Sequence, residues 1–99
     1  MGTKIAVSSE TKNRTKEPRN YAVVLLNDDF TSMDFVIEVL MTYFNHDIRS
    51  AFDIMLKVHN EGRGVCGIYP FEIAETKISL VHSFARTNNF PLRAILQEE

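Results

Sequence analysis

The sequence lacks tryptophan, has a single cysteine, Cys66, and contains no apolar run long enough to cross a membrane. One cysteine excludes an internal disulfide and is usual in the reducing cytosol. A membrane-spanning helix needs about 18 or more consecutive apolar residues, and the start of the chain from Met1 to Ser8 has no apolar core of the signal-peptide kind. These absences predict a cytoplasmic protein with no membrane partner.

Size and the distribution of apolar residues predict one small domain. The chain has 99 residues, 44% of them hydrophobic, and the apolar residues are concentrated between Tyr21 and Leu96. A domain of this size buries only about 60–65% of the surface that its unfolded chain exposes. We therefore expect a shallow surface pocket rather than a deep substrate cavity.

Charge and composition separate residues 1–19 from the rest. These residues carry a net charge of +3, so residues 20–99 carry −5. An acidic domain argues against nucleic acid as a partner, because nucleic-acid binders need a basic surface. Residues 1–19 mix Thr, Lys, Ser, Asn, Glu and Pro without apolar periodicity, which predicts a flexible, disordered arm before a domain at 20–99.

Hydrophobic spacing predicts six elements in the order β-α-α-β-α-β. Strands are expected at 21–26, 65–69 and 92–96, and helices at 32–45, at 48–60 and from Pro70 to the pair Asn88-Asn89. Thr31 is expected to cap the first helix, with Asp34 three residues later. Few strands and several helices predict an α+β fold, in which the helices pack on a small antiparallel three-stranded sheet.

Apolar side chains at helical spacing indicate which faces are buried. The second helix places five such residues on one face: Ile48, Ala51, Phe52, Met55 and Val58. Cys66, within a short apolar strand, is expected to be a small buried hydrophobic residue. These positions form the predicted core.

The tripeptide Asn27-Asp28-Asp29 is the strongest candidate for a binding site. It lies where the apolar strand 21–26 meets the start of the first helix. Adjacent carboxylates repel one another and resist burial, so this position favours a cation or a ligand rich in hydrogen-bond donors. A turn that only caps the next helix is the simpler interpretation. His59, near the end of the second helix, is a second candidate, although it could merely complement the helix dipole.

Two enzymatic interpretations remain open on the residues alone. Asp28, Asp29, His59 and Cys66 are the right types to bind a metal ion, but their spacing matches no zinc finger or ribbon. Paired carboxylates could also serve a small hydrolase. The chain has no nucleophile elbow and no phosphate loop beyond the short sequence Gly62-Arg63-Gly64.

Several motifs follow one another in a fixed order over about residues 20–99. They are Val23-Val-Leu-Leu-Asn-Asp-Asp29, Thr31, Met33, Phe35-Val-Ile-Glu-Val-Leu40, Met55-Leu-x-Val-His59, Gly62-x-Gly-Val-Cys-Gly67, Ala74-Glu-Thr-Lys77 and Pro91-Leu92. Together they resemble the ClpS adaptor family of the bacterial N-end rule. The resemblance implies a protein that performs no chemistry and needs no cofactor. It implies an adaptor that binds substrates with N-terminal Leu, Phe, Tyr or Trp and delivers them to a ClpA-like AAA+ Clp unfoldase, through that unfoldase's N-terminal domain.

The resemblance also implies roles for particular residues. Asn27, Asp29 and His59 would contact the α-amino group of the substrate. Asp28 would support this α-amino site by shaping the turn and adding to its negative field. The first side chain would enter a pocket walled by Thr31, Met33, Val36, Met55, Val58 and Leu92. Glu72, Glu75 and Lys77 would dock the unfoldase, and the arm would take part in delivery.

Two positions depart from the family pattern, and a third class of protein stays open. Ser32 stands where proline commonly follows the threonine, and Phe90 stands where a histidine often precedes Pro-Leu. Neither position is one of the implied α-amino contacts. The compact α/β form is also similar to the C-terminal domain of the ribosomal stalk protein, a structural partner that would not require an acidic pocket beside Thr31 and Met33.

Overall fold

The computed structural model describes residues 19–99, so the predicted arm lies outside the described residues except for Arg19. The elements follow the predicted order. They are β1 (Asn20–Leu26), α1 (Met33–Tyr43), α2 (Ile48–Glu61), β2 (Arg63–Pro70), α3 (Phe71–Thr87) and β3 (Arg93–Glu98). Within this part of the chain, no helix is long and apolar enough to cross a membrane.

The sheet has β1 at its centre, paired antiparallel with β2 on one side and β3 on the other. The predicted α+β fold on a three-stranded antiparallel sheet is confirmed. The pairing of β1 with β2 is interrupted by an irregularity: Val23 lies opposite Gly67, whereas Val24 lies opposite Val65. Cys66 is the extra residue between them, and its side chain is buried in the core.

The core lies between the sheet and the helices. Ala22, Val23, Val24 and Leu25 are all buried, as expected for a central strand whose apolar run has no polar alternation. Val23 and Leu25 join the main cluster with side chains from all three helices, including Leu40, Ala51 and Val81. This core fixes the end of β1 against α1 and α2, where the candidate site begins.

The start and end of α1 differ from the prediction. Ser32, not Thr31, is the N-cap, and its hydroxyl oxygen accepts a hydrogen bond from the Phe35 N–H at 3.1 Å. Thr31 cannot serve as the cap because its hydroxyl donates to the Asp28 carboxylate. The helix ends at Tyr43 rather than at residue 45, since Asn45 has a left-handed backbone (φ 58°) that a helix cannot accommodate.

Asp47 defines the start of α2 and Gly62 defines its end. Asp47 caps its start by accepting the Ser50 N–H at 2.8 Å, and this hydrogen bond lowers the pKa of the Asp47 carboxyl. Gly62 ends the helix with φ 90°, a conformation that glycine adopts without steric cost. The predicted apolar face was too wide, because Ile48 (61% exposed) and Phe52 (46% exposed) face solvent.

The remaining boundaries shift by one or two residues. Strand β2 spans 63–70 rather than 65–69, since its first residues pair with the end of β1. Strand β3 begins at Arg93, so Leu92 precedes it and is 3% exposed in the core. At its other end β3 is joined to the beginning of β1, where Glu98 forms an ion pair with Arg19.

Candidate functional site

A surface cavity of about 410 Å³ opens where the end of β1 meets α1 and α2. Its lining brings together residues that are far apart in the sequence. They are the continuous segment 27–33 together with Val36, Met55, Val58 and His59. Nine of the ten residues proposed for the α-amino contacts and the side-chain pocket therefore lie around one cavity.

One backbone hydrogen bond connects the two parts of the polar side. The Asn27 N–H donates to the Gly62 carbonyl at 2.9 Å, which ties the loop after β1 to the C-terminal end of α2. His59 lies in the last turn of that helix. The left-handed Gly62 that ends α2 therefore also places Asn27 and His59 on the same cavity wall.

Asp28 lines the cavity and also shapes the loop. Its Oδ1 accepts the backbone N–H groups of Phe30 (2.8 Å) and Thr31 (2.7 Å), and its Oδ2 accepts the Thr31 hydroxyl (2.7 Å). This is an Asx-type turn, the simpler of the two interpretations made from the sequence. It accounts for the Asp28 side chain but not for those of Asn27 and Asp29.

Asn27, Asp29 and His59 are exposed acceptors on the cavity wall. Within residues 19–99, no hydrogen bond or ion pair engages the side chains of these three residues. An amide oxygen, a carboxylate and a neutral imidazole nitrogen can together accept several hydrogen bonds, and the carboxylate adds a negative charge. This side of the cavity can hold a cationic group that donates in more than one direction.

The opposite side of the cavity is apolar. Val36, Met55 and Val58 are buried members of the core that also form the cavity floor, and Thr31 is half-buried beside them. Met33 stands 46% exposed at the mouth. Leu92, also expected in the pocket, does not line this cavity, because it lies in the core ahead of β3.

The residues expected to dock the unfoldase lie on α3 and differ in their surroundings. Glu72 and Glu75 are exposed. Lys77 is half-buried, and its Nζ donates to the Tyr43 carbonyl at 2.6 Å while lying 5.9 Å from the centre of the Phe44 ring and 5.5 Å from that of Tyr69. The charge of Lys77 thus stabilises the C-terminal end of α1.

The metal-site hypothesis loses one of its four ligands. Cys66 is 2% exposed in the core and away from the cavity, and burial raises the pKa of its thiol to about 12. In the region from Arg19 to Glu99, no group of three or more His, Cys, Asp or Glu side chains is placed to hold a metal ion. Asp28, another of the four proposed ligands, already accepts hydrogen bonds from Phe30 and Thr31 in the loop.

Two lining residues were missed from the sequence. Phe30 and Ser32 both line the cavity, and Phe30 is 78% exposed. Their position within the loop that starts at Asn27 was the available signal, since every residue of a short loop between two site residues lies near the site. The sequence alone did not show that the Phe30 side chain stays out of the core.

Comparison with known proteins identifies the relatives of this chain. A family model described as "ATP-dependent Clp protease adaptor protein ClpS" matches residues 16–95. The ATP-dependent Clp protease adapter protein ClpS of Wolinella succinogenes is 62% identical over 82 residues, covering 83% of this chain and 80% of the relative. The protein of the same name from Acetivibrio thermocellus is 46% identical over 99 residues, covering both chains completely.

A solved structure agrees with the fold. Agrobacterium tumefaciens ClpS2 bound to L-phenylalaninamide superposes with a TM-score of 0.81 and 32% sequence identity, covering 84% of this chain and all of that one. The family model and the named relatives are those of adaptor proteins rather than enzymes. The chain belongs to the ClpS family of Clp protease adaptors, so the resemblance noted in the sequence is confirmed.

Proposed function

We propose that this chain recognises proteins that begin with Leu, Phe, Tyr or Trp and delivers them to a ClpA-like AAA+ Clp unfoldase for degradation. The observation that carries this proposal is the two-sided cavity. Acceptors at Asn27, Asp29 and His59 stand on one wall, and apolar side chains form the floor. A free N-terminal residue has the same two parts, an ammonium group and a hydrophobic side chain, on a single Cα.

The polar wall suits an α-ammonium group. This group offers three N–H donors and one positive charge, and it is largely protonated near neutral pH because its reference pKa is about 7.7–8.0. Asn27, Asp29 and His59 supply three acceptors, one of them negatively charged, with no competing partner in the described chain. The number of acceptors and the sign of the charge both match.

The apolar floor suits one large hydrophobic side chain. A volume of about 410 Å³ is near the lower end of the range of roughly 300–1,000 Å³ for small-molecule sites, so the cavity holds a residue rather than a peptide. Burying a Leu or Phe side chain against Val36, Met55 and Val58 contributes about 1.5–3 kcal/mol. A polar first residue would lose this contribution and add a desolvation cost.

The ligand of the solved relative supports the same assignment. L-phenylalaninamide, bound to Agrobacterium tumefaciens ClpS2, carries a free α-amino group, a phenyl side chain and a carboxamide in place of the next peptide bond. A protein that begins with phenylalanine presents those same groups.

Delivery requires a second surface for the unfoldase. The exposed Glu72 and Glu75 on α3 offer carboxylates outside the cavity, so both ligands could be bound at once. Lys77, on the same helix, is used by its hydrogen bond to the Tyr43 carbonyl at the end of α1. Residues 1–18, to which the sequence assigned a part in delivery, lie outside the described residues.

The test is calorimetric titration of the chain with L-phenylalaninamide and with N-acetyl-L-phenylalaninamide. Acetylation removes the charge and two of the three donors, so we expect affinity to fall about 100-fold or more. Asp29→Asn should weaken binding of the free amine by tenfold or more. The matched control, Asp53→Asn on the exposed face of α2, should leave it unchanged. Equal binding of the two ligands would refute the ammonium site.

A further inference from the structure

Phe30 lies at the cavity mouth with a solvent-facing aromatic ring. It is 78% exposed, the highest value among the large exposed hydrophobic side chains from Arg19 to Glu99. A single exposed hydrophobic side chain needs no explanation by itself. Of these side chains in residues 19–99, Phe30 and Met33 line the candidate cavity, and Phe30 is the aromatic one, next to Asp29 in the chain.

The loop holds the Phe30 backbone in a fixed position. The Phe30 N–H donates to Asp28 Oδ1 at 2.8 Å, and the N–H and hydroxyl of Thr31 donate to the same carboxylate. Asp28 and Thr31, which lie on either side of Phe30 in the chain, are thereby held together. The hydrogen-bonded turn thus anchors the Phe30 backbone at the cavity rim, and the ring is exposed to solvent there.

The proposed ligand directs its second residue to this side chain. With the ammonium at Asn27, Asp29 and His59 and the first side chain on the cavity floor, the carbonyl carbon of the first residue must point out of the mouth. The Cα of the second residue lies about 3.8 Å from the Cα of the first. Two large apolar side chains of the cavity lining are exposed at that mouth, Phe30 and Met33.

We infer that Phe30 forms a subsite for the second residue of the substrate and favours aromatic and arginine side chains there over glycine. The inference rests on the proposed function. An aromatic side chain or a guanidinium can stack on the exposed ring, and glycine offers nothing to stack. Because the second residue is already tethered by the first, the contact costs only the ordering of one side chain. The expected preference is about 3- to 10-fold.

The experiment compares three labelled peptides, Phe-Tyr, Phe-Arg and Phe-Gly at the first two positions and identical thereafter, by fluorescence anisotropy. Wild-type protein should bind the first two about 3- to 10-fold more tightly than the third. Phe30→Ala should bring the ratios close to 1. Phe30→Tyr should keep the preference.

A matched control is available on α2. Phe52 is the same residue type, 46% exposed, and outside the cavity lining, so Phe52→Ala should keep the wild-type ratios. Unchanged ratios in Phe30→Ala, or no preference in the wild type, would overturn the subsite. Acetylated Phe-Tyr peptide, measured in parallel, separates the two hypotheses: if it binds as well as the free peptide, the proposed function fails instead.

Discussion

Thr31 engages both carboxylate oxygens of Asp28, through its backbone N–H at 2.7 Å from Oδ1 and its hydroxyl at 2.7 Å from Oδ2. Asp28 and Asp29 are neighbours of identical chemistry, yet within residues 19–99 only the Asp28 carboxylate accepts hydrogen bonds from the loop. The structure therefore separates their roles. Asp28 holds the loop that forms the cavity rim, and Asp29 keeps its charge available to a ligand.

This separation predicts that the two substitutions differ in their effect on stability. Asp28→Ala should lower the free energy of unfolding by about 1–2 kcal/mol, because three donors lose their acceptor. It should also weaken peptide binding, since the rim is no longer fixed. Asp29→Asn should weaken binding without changing stability. Urea denaturation and anisotropy on both variants check this, and a stability loss in Asp29→Asn equal to that in Asp28→Ala would show that the roles are not separate.

Met33 is expected to exclude β-branched first residues. It stands half-exposed at the cavity mouth, while the floor behind it is buried. Val and Ile carry a branch at Cβ that cannot rotate away from a bulky wall, whereas Leu branches one carbon later. Met33→Ala should therefore let peptides with N-terminal Ile or Val bind. Met41→Ala, an exposed methionine of the same helix outside the cavity, is the control; if Met33→Ala gains nothing for these peptides, the assignment is wrong.

Lys77 should affect stability, unlike its neighbours on α3. Lys77→Met removes the hydrogen bond to the Tyr43 carbonyl and the contacts with two aromatic rings, and should lower the free energy of unfolding by about 1–2 kcal/mol. Glu75→Gln, on the exposed surface, should leave stability unchanged and reduce delivery. Lys57→Met on α2 is the matched lysine control. A Lys77→Met variant as stable as the wild type would contradict the structural role.

His82 should make the fold sensitive to mild acid. Its Nε2 accepts the Ala94 N–H at 3.0 Å, and burial, together with Arg86 and Arg93, lowers the pKa of His82. The unfolded chain then binds more protons just below pH 6.5, so stability is lost as the pH falls through that region. His82→Gln keeps an acceptor without titrating, and its stability should fall less between pH 7 and pH 5. Parallel pH profiles for the two proteins would refute this prediction.

The order of elements was predictable because apolar spacing reports burial directly. Ala22 to Leu25 form a continuous apolar run, and the structure buries all four residues. The ends of the helices and strands were harder to predict from the sequence, because they depend on local hydrogen bonds. Thr31 looked like the cap of α1, but its hydroxyl is used by Asp28, which a one-dimensional pattern does not show.

The site was partly predictable for a similar reason. Residues within one loop, such as Asn27 and Asp29, are neighbours in any fold, whereas His59 is brought to them by the hydrogen bond from Asn27 to Gly62. Only the family resemblance supplied that association. Leu92 was expected in the pocket, but an apolar residue beside a strand can enter either the pocket or the core, and the structure buries Leu92 in the core cluster.

The most direct test of the central claim is a degradation assay with purified ClpA-like unfoldase, its peptidase and two folded reporters that differ only in a first residue of Phe or Ala. Wild-type adaptor should accelerate degradation of the Phe reporter and leave the Ala reporter unaffected. Asp29→Asn should lose the acceleration, and Asp53→Asn should keep it. Degradation of both reporters at the same rate, with or without the adaptor, would contradict the account.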